Sequence, residues 1–200
     1  LKEVAANPTY IPAIDKLADL YRSIGNIDST IYYYQRSLEL KPEGIIARQS
    51  LAAAYLVKED FDTSIKHYKV LQKDHPDYPE VYHGLSRVYL AKKDYQLAIK
   101  NSEVALRWYI AAKKNLHAAD ARLLMGKAYM YERDYKTAIK YFKAGKKHYQ
   151  DKAFYHYHIG YCYLYLKKDK VAKEYLSQAE DMGYQLPVYV KDKLKKSTTD

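Results

Sequence analysis

Residues 51–76 read LAAAYLVKEDFDTSIKHYKVLQKDHP, and residues 85–105 read LSRVYLAKKDYQLAIKNSEVA. Set 34 positions apart, the two segments share one frame: Leu51 with Leu85, Ala52 with Ser86, Tyr55 with Tyr89, Asp60 with Asp94, Phe61 with Tyr95 and Ser64 with Ala98. The frame continues in both directions. Tyr21, Tyr55, Tyr89, Tyr129 and Tyr163 fall at spacings of 34, 34, 40 and 34. Self-similarity at such a period marks a stack of repeated structural units.

Within each unit, apolar residues at i, i+3, i+4 and i+7, such as Ile14, Leu17, Ala18 and Tyr21, place one stripe on one helix face. A second stripe follows. Asp60, Asp94 and Asp134 stand just before it, where a short carboxylate accepts from the unpaired N–H groups of a helix start. Pro42 and Pro76 end the second helix. Ala18, Ala52, Gly126 and Gly160 keep the middle of the first helix thin, so the paired helix can approach closely. A single helical hairpin cannot bury both faces, so each unit must stack on the next.

The frame resembles the tetratricopeptide repeat family, with its Leu-Gly/Ala-x-x-Tyr, Gly-x-Tyr, Ala, aromatic, Ala and Pro positions. The resemblance spans residues 11–186 and implies an all-α solenoid of about five helix-turn-helix units: 11–44, 45–78, 79–118, 119–152 and 153–186. Residues 1–10 read as the end of a preceding repeat helix, so the chain has the look of a piece lacking its native N-terminus. Residues 187–200 read as a capping helix and polar tail. Departures from the pattern fall at Glu59, Lys93, Arg133 and Lys167, which stand where Gly25 stands in the first unit, and at Asp169 in an aromatic position. They weaken individual turns more than the fold. The 40-residue step places six extra residues near Trp108–His117, expected in a second helix or its following loop. They read either as a surface insertion or as a contact element anchored by Trp108 and Tyr109.

No apolar run approaches the roughly 20 residues a membrane helix needs, and the composition is that of a soluble chain. The one cysteine, Cys162, excludes an internal disulfide and fits a reducing compartment, with the cytoplasm favoured. No Gly-rich phosphate loop, HExxH or GxSxG occurs. His156 and His158, two apart on a helix, point apart, and His158 with Cys162 supplies only two ligands of the four that structural zinc takes. No catalytic residue, metal or cofactor is expected, and the chain does not read as an enzyme.

Positive charge collects late. Residues 1–100 carry 14 Lys/Arg against 13 Asp/Glu, and residues 101–200 carry 20 against 11. This reads as a solvated lysine face or as a surface for an acidic protein, an anionic membrane or nucleic acid, with nucleic acid the least favoured. Of 25 tyrosines, the repeat frame accounts for ten.

The resemblance implies that first helices line a concave groove. Its positions carry Asp15, Asp19 and Arg22 early, Arg87 and Lys127 in the middle, and Tyr131, Phe154, Tyr157, Tyr161 and Tyr165 late. The aromatic end is the expected site for a partner, unless the capping helix or repeat packing covers it. The Lys/Asn carboxylate clamp of chaperone-binding members is absent: Asp15, Asp19, Ser50, Glu80 and Gly84 occupy its positions. The expected function is a protein-interaction scaffold holding a peptide or partner protein. The alternatives are a self-association element and a regulatory arm of a larger multi-domain protein.

Overall fold

The computed structural model describes residues 9–148 and 152–196. Among these residues the chain is all-α, with eleven helices and no strand. They are α1 (Ile11–Ser23), α2 (Ile27–Leu40), α3 (Ile45–Val57), α4 (Phe61–Asp74), α5 (Pro79–Ala91), α6 (Tyr95–Ala111), α7 (Asn115–Tyr131), α8 (Tyr135–Lys146), α9 (Ala153–Tyr165), α10 (Asp169–Asp181) and α11 (Val188–Lys196). Two compact units result. Leu1–Lys93 holds α1 to α5, and Asp94–Asp200 holds α6 to α11. The segment expected to end a preceding helix, residues 1–8, and the tail 197–200 lie outside the described residues.

One turn design recurs. The Asn26 N–H donates to the Tyr21 carbonyl at 2.9 Å, closing a six-residue Schellman loop; Asp60 to Tyr55, Asp134 to Tyr129 and Lys168 to Tyr163 repeat it at 2.9–3.0 Å. In the first three of these turns the closing residue then caps the next helix, while Lys168 makes no side-chain cap. Asn26 accepts from Ser29 N–H, Asp60 from Thr63 and Asp134 from Thr137, each at 3.1 Å. Such a loop needs a left-handed residue in its middle. Gly25 supplies it at φ 75°, and Glu59, Lys93, Arg133 and Lys167 hold φ of 55–67° despite their side chains. The loss of glycine therefore leaves the turn geometry intact and adds about 1–2 kcal/mol of steric strain at each position.

Side chains one repeat apart fall into equivalent buried positions. Tyr34 and Tyr68 in the first unit, and Phe142 and Leu176 in the second, are fully enclosed. Small residues oppose them. A Cβ on Gly126 would stand 2.6 Å from the Phe142 ring, and one on Gly160 would stand 2.8 Å from Leu176, so glycine there sets the approach of α7 to α8 and of α9 to α10. Several tyrosines left unassigned by the repeat frame form clasps across helix pairs. Tyr33 stacks on Tyr21 (ring centroids 5.4 Å), Tyr141 on Tyr129 (5.5 Å) and Tyr175 on Tyr163 (5.7 Å), with His67 on Tyr55 at the same register.

The six extra residues are helical. α6 and α7 each run 17 residues, where α2 and α4 run 14 and α1, α3 and α5 run 13. Their connection shrinks to Ala112–Lys114, with Lys113 left-handed at φ 54°. The expected second-helix extension is thus only part of the insertion, because a tight turn lets both helices lengthen against each other. Trp108 is exposed, but Tyr109 is buried against His117, so the two rings do not form one surface anchor.

In the second unit, α11 seals the last pair. Leu186 and Val190 enter a cluster with Tyr157, Leu164, Ala172, Leu176 and Ala179. Lys191 and Glu180 pair at 2.7 Å on its edge.

Candidate functional site

In the first unit, Asp15 on α1 lines an open cleft of 670 Å³ with Ile11, Ser37, Ile46 and Tyr78. Its Oδ1 is enclosed and finds no hydrogen-bond partner among the described residues. Asp19 and Arg22 lie outside this cleft. Asp19 Oδ1 accepts from Arg22 Nη2 and from Tyr34 Oη, both at 2.7 Å. Burial acts to raise the Asp19 carboxyl, yet these two donors outweigh it and hold the group below its ordinary value. The Asp19 carboxylate is thereby engaged in internal bonding. Arg87, on α5, is exposed.

In the second unit, three of the expected aromatics converge. Tyr131, Tyr161 and Tyr165 line a cleft of 440 Å³ with Met130, Arg133 and Tyr135. Tyr131, at the end of α7, is 52% exposed and stacks on Tyr95 at 5.4 Å. Tyr165 packs on Tyr135 at 5.2 Å and on Tyr161 at 4.6 Å, and Lys193 of α11 lies over its ring, 3.8 Å from the centroid. Burial raises the Tyr161 hydroxyl above its ordinary value, with the Tyr165 bond adding to it, so the phenol stays neutral and can donate. Arg133 has no ion-pair partner among the described residues.

Tyr157 departs from expectation. It is 7% exposed, stacked on Tyr184 at 4.6 Å, with its hydroxyl 3.4 Å from that of Tyr189. The segment leading into α11 and α11 itself cover it, because the cap needs an apolar floor; its ring serves packing. Phe154 is half-buried beneath Lys127, whose Nζ lies 4.8 Å from the ring centroid, and burial lowers the Lys127 ammonium below its ordinary value. The ring series Phe154, Tyr184, Tyr157, Tyr161, Tyr165 and Tyr135 is continuous, with neighbouring centroids 4.6–6.3 Å apart.

Sequence reasoning missed Arg133 and Tyr135, assigned to the turn and to a structural aromatic post. Their signal was position: both follow Tyr131 closely across a tight turn, so they share its end of the unit. Lys193 and Tyr189 carried no such signal, because only the docking of α11 brings them to α9.

Burial pushes the Cys162 thiol up to about 12, so the sulfur is an inert core atom at neutral pH. His156 and His158 diverge: His156 faces Lys146, and His158 packs on Phe142 and Phe154. Among the described residues no group of three or more His, Cys, Asp and Glu side chains could hold a metal ion, and no helix is long and apolar enough to cross a membrane.

Models of the tetratricopeptide repeat match residues 11–43, 50–109, 119–147 and 155–182. The chain is a tetratricopeptide repeat protein. Solved structures agree on the fold. The chain is similar to MamA (residues 41 to the end) from Desulfovibrio magneticus RS-1, at 17% identity and TM-score 0.74, covering 86% of this chain and 94% of that one. It is similar to the Cut9–Hcn1 hetero-tetramer of APC/C at 21% identity and TM-score 0.82, covering 98% of this chain and 38% of that one. It is also similar to YrrB, described as a tetratricopeptide repeat protein with an unusual peptide-binding site, at 20% identity and TM-score 0.65, covering 90% of each chain. Among curated proteins no relative matches the sequence.

Proposed function

We propose that this tetratricopeptide repeat protein is a non-catalytic interaction scaffold whose second unit seats a segment of a partner protein in the cleft of Tyr131, Tyr161 and Tyr165. The observation that carries this reading is the convergence of three tyrosines and Tyr135 on one open cleft of 440 Å³ with the unpaired Arg133 at its edge. Tyrosine rings give large contact area at low cost in rotamer freedom, and their hydroxyls can bond a peptide backbone. Arg133 adds preference for a segment bearing a carboxylate near its apolar anchor. The peptide-binding description of YrrB and the assembly containing Cut9 support a binding role.

The test is capture of partners from a source lysate with the parent chain and with Tyr131→Ala/Tyr161→Ala. A protein retained by the parent and lost by a variant of unchanged melting temperature supports the cleft. Equal retention by both sinks it.

A further inference from the structure

Away from that cleft, the second unit holds a basic cluster at the Tyr163–Tyr175 clasp. Lys143 and Lys146 sit one turn apart on α8, so their side chains share a face. Lys143 Nζ donates to Tyr163 Oη at 3.0 Å and lies 5.4 Å and 5.8 Å from the Tyr163 and Tyr175 centroids. Lys146 Nζ lies 5.7 Å from the Tyr175 centroid and 3.1 Å from His156 Nε2. Two ammonium groups thus approach the Tyr175 ring. Among the described residues neither pairs with a carboxylate.

The hydrogen bond to Tyr163 holds the Lys143 ammonium above its ordinary value, so it stays charged. Burial lowers the Lys146 ammonium, and Lys152 and Lys143 lower it further by repulsion. His156 is lowered by burial and by the charges of Lys146 and Lys152, against a hydrogen bond to Gln178 that raises it. Among the described residues no carboxylate contributes to the shift of any of these three groups. Like charges gathered without a counter-charge are costly unless something anionic joins them.

We propose that Lys143 and Lys146, with the Tyr163 hydroxyl, form an anion site that takes the phosphate of a phosphorylated side chain on a protein partner. A phosphomonoester carries about −1.5 to −2 charges at neutral pH on three strong acceptor oxygens. That matches two ammoniums gathered at one ring, where a single carboxylate would answer only one. A nucleic-acid backbone carries its charges in a row and calls for a groove that tracks it, which this compact cluster does not provide. The Tyr163 hydroxyl accepts from Lys143 and keeps its own proton to donate. The assignment to a protein-borne phosphate rests on the scaffold reading; the anion site does not.

The experiment is an NMR titration of the chain with inorganic phosphate at constant ionic strength, following the His156 ring. Saturable shifts, with the His156 titration midpoint moving upward as phosphate offsets Lys146, are expected. They should vanish in Lys143→Ala/Lys146→Ala, whose exposed and half-buried lysines can be removed without loss of melting temperature. Linear shifts equal to those from chloride, or saturation that persists in the double variant, overturn the site. Three further probes assign the source: a phosphoserine peptide, its serine form and a single-stranded oligonucleotide. The phosphoserine peptide is expected to bind at least about tenfold tighter than inorganic phosphate, a difference of about 1.4 kcal/mol, while the serine form does not bind. A phosphopeptide no tighter than phosphate, or an oligonucleotide tighter than the phosphopeptide, overturns the protein-borne source. Because inorganic phosphate reads the lysine site without the tyrosine cleft, the two readings fail separately.

Discussion

His158 is buried between Phe142, 5.1 Å away and stacked, and Phe154, 4.2 Å away and edge-on, and neither ring nitrogen finds a hydrogen-bond partner among the described residues. Burial, with a smaller push from Lys127, drives its pKa from 6.5 to about 3. The unfolded chain therefore binds this proton more readily than the folded one. The neutral ring costs least above pH 6.5, and stability is lost as pH falls from 6.5 toward 3. At pH 5 the loss from this group is about 2 kcal/mol. Burial lowers His67 and His156 as well, in the same direction. Urea unfolding at pH 8 and pH 5 should show the parent losing more stability than His158→Leu; equal losses would mean that the ring is protonated in the fold. The sequence showed only that His158 could not chelate with His156. Its burial depended on Phe142, 16 residues away, and on the closeness that Gly126 and Gly160 permit.

At the scale of the element, the helices were legible because each carries its own start, stripe and stop. Asp60, Asp94 and Asp134 cap as expected, and Tyr21, Tyr55, Tyr129 and Tyr163 of the frame supply the carbonyls that close four of the tight turns. The insertion was less legible, since nothing in residues 106–120 says how six residues divide between two helices. The part played by α11 was partly legible: its amphipathic stripe predicted a cap, but not that the segment from Tyr184 to Tyr189 would cover Tyr157. Val190 is fully enclosed at that seam. Val190→Asp places an unpaired charge there and should cost about 3 kcal/mol or more. Hydrogen exchange should then quicken in α9 and α10, and Tyr157 should become accessible to modification. Unchanged protection of α9 would show that the cap is dispensable.

For the whole molecule, stability in a repeat protein is close to a sum of intrinsic and neighbour terms. Leu51, enclosed in the cluster of Ala18, Ile31, Tyr34, Ala47 and Ala54, anchors the first unit. Leu51→Ala should destabilise that unit by about 2–5 kcal/mol while amide protection in α9 and α10 stays as it was. A uniform loss of protection from α1 to α10 would instead show a single cooperative unit. The asymmetry of charge also belongs at this scale: of the 20 Lys/Arg in residues 101–200, Lys143 and Lys146 sit at the Tyr163–Tyr175 clasp.

The sequence by itself determined the repeat, the family, the helix starts and turns, and the thin points at Gly126 and Gly160, because these depend on contacts within some 34 residues that recur in register. Tertiary structure decided which groove residues stay open. Tyr131, Tyr161 and Tyr165 share a cleft, Tyr157 lies under α11, and Asp19 is held by Tyr34 and Arg22. Whether a side chain faces solvent or a neighbour depends on elements that dock from elsewhere in the chain, and a helical period names a face without naming what covers it.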